Sequence, residues 1–119
     1  MTAMRFEGDF YTVDHFEQHD DGFLADVVLN ADHAIYAGHF PAQPVVPGVC
    51  TMTLIRELCA RALDRNCFFR TVRECKFVAA LIPEAGLKIR IEASIEGAKL
   101  RATVKREEQI ILKLQAQIE

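Results

Sequence analysis

The sequence lacks three features that would direct it to nucleic acid, into a membrane or out of the cell. Its 14 Lys and Arg residues are interspersed with 17 Asp and Glu residues to give a net charge of −3, and no basic run stands out. Nucleic-acid binding is therefore not expected. The longest apolar runs are far shorter than a bilayer-spanning helix requires. The N-terminus also lacks the apolar core of a signal peptide, so we expect a cytoplasmic protein with no membrane span.

A cysteine pair of the C-x-x-C type is also missing. The four cysteines, Cys50, Cys59, Cys67 and Cys75, are spaced eight or nine residues apart. This is not the spacing of a zinc site, and we expect no metal. In a chain without a secretion signal, reduced and mostly buried thiols are expected. Cys50 has one alternative role, as a nucleophile, because a helix dipole at its position would lower the thiol pKa.

The most informative segment that is present covers residues 38–49, GHFPAQPVVPGV. Its three prolines fix their own φ angles and push each preceding residue toward extended geometry, so the loop is stiff enough to hold a catalytic group. Gly38 permits a turn or a close approach of the backbone. Gly48 stands where the following helix exposes unpaired N–H groups. The pattern predicts that the His39 imidazole is a base opposite an oxyanion site.

Residues 38–49 resemble the active-site segment of the β-hydroxyacyl-(acyl carrier protein) dehydratases, whose motif is close to G-H-F-P-x-x-P-x-x-P-G-V. The resemblance implies a hot-dog fold and makes His39 the catalytic histidine. It also implies a tunnel between two subunits, with a glutamate supplied by the helix of the other subunit. A looser similarity to the family covers residues 76–86. The substrate contacts implied by the resemblance come from six residues: Gly38, Phe40, Val45, Pro47, Gly48 and Val49.

The position of the family's glutamate is occupied by Thr53 in this chain. A threonine hydroxyl donates a hydrogen bond but carries no readily transferable proton near neutral pH. Loss of a positioned acid typically lowers the rate by about 100- to 10,000-fold. Glu57 is the alternative acid, one turn along the same helix face, but a displacement of about 5.4 Å argues against it. We favour an exposed or rim Glu57 carboxylate paired with Arg61 at i+4.

Hydrophobic periodicity predicts a hairpin and then a helix in the first half of the chain. Two extended segments, near residues 5–17 and 22–30, flank a polar turn that ends in Asp-Gly. Apolar residues then recur at helical spacing over residues 48–65. Polar residues are confined to a narrow stripe of this helix, which predicts that most of its surface is covered by other protein.

Apolar and polar residues alternate through the second half, which predicts strands over residues 70–81, 87–95, 98–105 and 110–118. The strands offer one apolar face, and the single buried helix is available to cover it. The expected fold class is therefore α+β, with an antiparallel sheet of about six strands wrapped around a central helix. A single domain over residues 1–119 is expected. The resemblance implies the same hot-dog arrangement.

The resemblance implies a dehydratase-like protein that acts on or binds acyl thioesters in fatty-acid or polyketide-type biosynthesis. The implied partner is an acyl carrier protein whose phosphopantetheine holds the substrate, and no bound cofactor is expected. The apolar helix predicts a homodimer or higher homo-oligomer. Because of Thr53, a heterodimer with a complete dehydratase is an alternative. A noncatalytic or half-site subunit of a heteromeric dehydratase, and a hot-dog acyl thioesterase, also stay open.

Overall fold

Six strands and two helices make up residues 6–38 and 45–119, which the computed structural model describes. In chain order they are β1 (Tyr11–His19), β2 (Gly22–Leu29), α1 (Ile35–Gly38), α2 (Gly48–Leu63), β3 (Phe69–Phe77), β4 (Lys88–Glu96), β5 (Lys99–Arg106) and β6 (Gln109–Ile118). The predicted order of two strands, a helix and four strands is confirmed. The four-residue α1 is an addition that periodicity does not predict.

All six strands pair antiparallel in one sheet, in the order β1-β2-β4-β5-β6-β3. Tight turns join β1 to β2, β4 to β5 and β5 to β6. Gly97 and Glu107 take positive φ angles of 59° and 55° in the last two turns, as hairpin turns require. The chain passes through α2 between β2 and β3, and β3 then joins the far edge of the sheet. This path leaves β1 and β3 as the two edge strands.

The core lies between one face of the sheet and α2. Alternate residues of β2, β4, β5 and β6 are buried along part or all of each strand, as the two-residue period of a strand dictates. On β2 these are Phe23, Ala25, Val27 and Leu29. The buried residues of α2 are Cys50, Thr51, Leu54, Ile55, Leu58, Cys59 and Ala62. Complete burial of one leucine side chain contributes about 1.5–3 kcal/mol. The predicted α+β hot-dog fold, with a sheet around a central helix, is confirmed.

Two element boundaries differ from the prediction, the start of β1 and the end of α2. Residues 6–10 form a turn where a strand from residue 5 is predicted. The Phe6 carbonyl accepts the N–H of Phe10 at 2.7 Å, and Gly8 supplies a φ of 87°. Helix α2 ends at Leu63, two residues early, because Asp64 adopts the left-handed conformation, which ends a helix.

The third strand is shorter than predicted and ends at Phe77. The N–H groups of Val78 and Ala79 both donate to the Ile111 carbonyl, at 2.8 and 3.3 Å. One acceptor shared by two successive donors ends the ladder, and the chain leaves the sheet here.

The described residues also contain no helix that is long and apolar enough to cross a membrane.

Candidate active site

Helix α2 begins at the end of the predicted active-site segment, and no side chain among the described residues caps it. Pro47 occupies the N-cap position with φ −61° and ψ 138°. Its carbonyl accepts the N–H groups of Cys50 and Thr51, at 3.0 and 3.3 Å. The positive end of the helix dipole thus meets no capping side chain from the described residues. Such a helix start suits an oxygen ligand.

A cavity of about 340 Å³ lies beside this helix start. Val45 and Gly48 line it on one side, and Phe77 and Val78 line it from the end of β3 and the residue that follows. Two of the six predicted substrate-binding residues are therefore at the cavity. Its mainly apolar wall has the character of a site for an acyl chain.

The other predicted residues of the segment have different positions. Pro47 is the N-cap of α2, and Val49 points outward with 69% of its surface exposed. Gly38 is the last residue of α1. His39 and Phe40 lie outside the described residues, so the catalytic role of His39 stays a prediction.

The Phe77 ring lies against Gly48 at the start of α2, a contact that the sequence does not reveal. A Cβ atom built on Gly48 would lie 2.4 Å from Phe77 Cζ, so the glycine makes room for the aromatic ring. The ring is 56% exposed and forms part of the cavity edge. The only sequence signal for Phe77 is its place in the looser family similarity. The structure thus brings the two similar segments together.

Thr53 lies on the first half of α2 and is partly exposed. Its hydroxyl donates to the Val49 carbonyl one turn earlier, at 2.9 Å. This is a bond within the helix, of the type that serine and threonine commonly make to the residue at i−4. The position where the resemblance predicts a glutamate is therefore accessible, but it carries no acid.

The Glu57 carboxylate is held by hydrogen bonds from other parts of the chain. Its carboxylate accepts hydrogen bonds from Phe6 N–H at 2.9 Å, from Glu7 N–H at 3.1 Å and from the Tyr11 hydroxyl at 2.9 Å. Burial, together with the charge of Glu57, raises the pKa of Tyr11. Three donors from two segments fix Glu57 as an anchor for the N-terminal turn. A carboxylate held in this way is badly placed to move a proton at the helix start.

The predicted ion pair between Glu57 and Arg61 is wrong. Arg61 instead approaches Glu7 at 3.8 Å and lies over the Phe16 ring at 4.7 Å from its centroid. Sequence spacing pairs side chains along one helix. It does not show that the N-terminal turn and β1 pack against the same face of α2, where they provide other partners for Glu57 and Arg61.

The described residues offer no cluster that could hold a metal ion, and the Cys50 thiol lacks the low pKa of a nucleophile. Cys50, Cys59 and Cys67 are buried and free, as expected, and Cys75 is half-buried. Burial raises the pKa of the Cys50 thiol, opposite to the lowering that a nucleophile needs. Residues 6–38 and 45–119 contain no group of three His, Cys, Asp or Glu side chains that could hold a metal ion.

The chain matches the family model described as ApeI-like, ApeI dehydratase, over residues 13–115. The chain belongs to this dehydratase family. The match includes the segment at residues 38–49, the whole of α2 and four complete strands, β2 to β5. The predicted family resemblance is confirmed. That Thr53 stands at the position of a catalytic glutamate stays a prediction.

Curated relatives of this chain include two bacterial proteins named 3-hydroxyacyl-[acyl-carrier-protein] dehydratase FabZ. The protein from Pelotomaculum thermopropionicum is 32% identical over 104 residues, which cover 80% of this chain and 71% of that one. The protein from Geobacillus thermodenitrificans is 30% identical over 92 residues, 70% of this chain. The matched region spans 63% of the length of that relative.

A solved structure shares the fold of this chain. It is described as the dehydratase heterocomplex ApeI:P from Xenorhabdus doucetiae. The superposition has a TM-score of 0.78 at 19% identity, and it covers 89% of this chain and 95% of that one. The hot-dog architecture is therefore that of a known dehydratase structure.

Proposed function

We propose that this chain is a subunit of a 3-hydroxyacyl thioester dehydratase, with its substrate carried on the phosphopantetheine of an acyl carrier protein. The carrying observation is the apolar cavity at the start of α2, which no described side chain caps; Val45 and Gly48 of the dehydratase motif line it. Membership of the ApeI-like family and the similarity to FabZ proteins support the substrate class.

The proposed elimination breaks the C2–H and C3–O bonds, forms a C2=C3 double bond and releases water. It requires a base for the C2 proton, an acid for the departing hydroxyl and donors to the thioester oxygen as enolate character builds. By resemblance, His39 is the base. The N–H groups of the first turn of α2 are the proposed donors to the thioester oxygen. The acid is the missing part, because Thr53 carries no transferable proton.

We therefore assign the acid to a second hot-dog subunit. A complete dehydratase would supply a glutamate from its own helix to the site that contains His39. The reciprocal site would combine the partner's histidine with Thr53 and should be poor. That the structurally similar ApeI:P protein is a dehydratase heterocomplex supports an assembly of unlike subunits.

Strand β3 is the proposed contact with the second subunit. It is an edge strand that pairs with β6 on one side only within the described sheet. Exposed apolar side chains cluster along and beside it: Phe68, Val72, Phe77 and Val78. An open strand edge with apolar neighbours favours pairing with another strand. We expect a homodimer in isolation and a mixed dimer when a complete dehydratase is present.

The test is a mixed dimer in which only one site can work. The chain is co-purified with a complete dehydratase whose own histidine has been replaced by alanine, and dehydration of a 3-hydroxyacyl-pantetheine thioester is measured. We expect activity that His39→Ala removes. Glu108→Ala, an exposed substitution in the β5–β6 turn, is the matched control and should leave the rate unchanged.

Two outcomes would contradict the proposal. If the mixed dimer is inactive while His39 is present, this chain is a noncatalytic or acyl-holding subunit. If the chain sediments as a monomer at micromolar concentration and captures no dehydratase subunit, the assignment of β3 as an interface is wrong.

A further inference from the structure

Thr51 brings a hydroxyl group to the wall of the cavity beside α2. The residue lies in the first turn of the helix and is 4% exposed. Apart from tyrosines and cysteines, no other polar or charged residue of the described chain is buried. Every other described residue that lines the cavity is glycine or hydrophobic. Because a buried hydroxyl without a hydrogen bond is costly, its partner has to be identified.

Helix α2 provides no acceptor for this hydroxyl. Thr53, two residues later, donates its hydroxyl to the carbonyl of Val49 at i−4, and the described residues show no such side-chain bond for Thr51. The equivalent acceptor for Thr51 is the Pro47 carbonyl, which already accepts two N–H groups, those of Cys50 at 3.0 Å and Thr51 at 3.3 Å. A carbonyl oxygen has two lone pairs, so this acceptor is saturated. The Thr51 hydroxyl is left for a partner outside the helix.

The Thr51 hydroxyl is accessible from the cavity. Among the described residues, Tyr36 carries the only side-chain oxygen or nitrogen that is fully enclosed and has no hydrogen bond. The Thr51 hydroxyl, which is also unbonded, therefore keeps some exposed surface. Because Thr51 lines the cavity and has almost no other exposed surface, this surface faces the cavity. A ligand in the cavity can reach the hydroxyl.

The hydroxyl lies on the same face of the helix as the start of α2. Thr51 and Gly48 are three residues apart and both line the cavity, as residues on one helix face do. Helical side chains lean toward the N-terminus, so the Thr51 side chain covers the turn that begins with Gly48. The first N–H that donates to Pro47 is that of Cys50. This leaves the N–H groups of Gly48 and Val49 at the open end of the helix, where they suit an oxygen ligand.

We propose that the Thr51 hydroxyl is a further hydrogen-bond donor to the thioester oxygen of the acyl substrate, beside the N–H groups of the first turn of α2. This inference rests on the proposed function. A hydroxyl hydrogen rotates to suit its partner, so it can turn toward a bound oxygen. A donor in an apolar cavity holds that oxygen more strongly as enolate character builds on it. Thr51 thus contributes to substrate binding and to the stabilisation of the developing enolate.

Two stable ligands that differ in one oxygen atom test this contact. In the first, a methylene group replaces the sulfur of octanoyl-pantetheine, which gives a ketone. In the second, a methylene group also replaces the ketone carbonyl. Calorimetry measures the dissociation constants of both ligands for the native chain, Thr51→Val, Thr51→Ser and Thr103→Val.

Thr51→Val keeps the shape of the side chain and removes the hydroxyl. We expect it to bind the ketone about three- to tenfold more weakly than the native chain does, and to bind the ligand without the oxygen equally well. Thr51→Ser retains the hydroxyl and should preserve most of the affinity for the ketone. Thr103→Val is the matched control, the same change at a half-buried position of β5, and should leave both dissociation constants unchanged.

Thermal unfolding without ligand distinguishes the proposed contact from a structural role. Thr51→Val should leave Tm unchanged or raise it, because the hydroxyl has no partner in the helix to lose. A lower Tm would mean that the protein itself uses the hydroxyl and would contradict the inference. If Thr51→Val weakens the binding of both ligands equally, or of neither, the inference is wrong while the proposed function stands. If the native chain binds neither ligand, both are wrong.

Discussion

Thr53 and Glu57 lie one turn apart on the same helix, yet their surroundings are opposite. The Thr53 hydroxyl donates within α2 and the residue is partly exposed, next to Val49, which is 69% exposed. The Glu57 carboxylate accepts three hydrogen bonds from the N-terminal turn and β1. The first part of the helix is open at the candidate site. The next turn is closed by other parts of the chain.

The difference shows why the presence of a carboxylate near a site does not make it a catalytic acid. Glu57 has the right chemistry, but its oxygens are already used to anchor residues 6–11. Thr53 has the position that the resemblance predicts for the acid, but it lacks the chemistry. A working acid must have both, which is why we assign it to another subunit.

The largest effect should come from restoring the acid at the open position. Thr53→Glu in the isolated protein should raise the rate of 3-hydroxyacyl-pantetheine dehydration by about 100- to 10,000-fold, the contribution of a positioned acid. Formation of the 2-enoyl thioester, followed by absorbance, measures the rate. Thr53→Gln is the matched control without a transferable proton and should stay slow. Rapid turnover by the native chain that collapses in Glu57→Gln would reverse the roles given to these two residues.

A second change tests the anchor. Glu57→Ala should lower the free energy of unfolding by about 2–4 kcal/mol, because three donors lose a charged acceptor. Glu57→Gln retains an acceptor oxygen and should lose less. Urea unfolding measures both, with Glu108→Ala as the exposed control. A loss no greater than that of the control would mean that the N-terminal turn does not depend on Glu57.

A third change tests whether the open end of α2 is the ligand site. Gly48→Ala brings a Cβ against the Phe77 ring at the cavity edge. We expect binding of octanoyl-pantetheine amide to weaken by about 1 kcal/mol, near fivefold in Kd. Because Leu lacks the far end of the ring, Gly48→Ala combined with Phe77→Leu should recover binding. Unchanged binding in Gly48→Ala would mean that the ligand does not bind in this cavity.

The smallest effect should come from a carboxylate outside both regions, and it provides a scale for the Glu57 result. The Asp26 oxygens accept hydrogen bonds from Arg90 Nε at 2.8 Å and Nη2 at 3.1 Å, which lower the pKa of Asp26. A depressed folded-state pKa gives stability that is present above the unfolded value of about 3.9 and is lost as pH falls through the folded value.

Asp26→Asn should therefore reduce Tm slightly at pH 7 and have progressively less effect below pH of about 4. The change at pH 7 should be smaller than that of Glu57→Ala, since Arg90 is well exposed and exposed pairs contribute little. Thermal unfolding from pH 7 to pH 3 measures it. A gap between the two proteins that widens toward acid would contradict the assigned direction.

Most of the fold follows from local periodicity. The alternation of Ile89 and Ile91 with charged residues identifies β4, and the apolar spacing around Leu54 and Leu58 identifies α2, because a strand or a helix buries one face at its own period. Boundaries are less predictable. The periodicity of residues 5–17 does not reveal that Phe10 is buried in a turn, and that of residues 70–81 does not reveal that a shared acceptor ends β3.

The sequence by itself determined the family and the order of elements, and it has Thr53 where the resemblance predicts a glutamate, since each depends on residue identity and spacing along the chain. Only the tertiary structure decided what Glu57 and Phe77 contact. Their partners come from segments distant in sequence. A hydrogen bond to the N-terminal turn and a ring over a glycine depend on how the sheet closes around α2. Spacing along one element cannot express such contacts.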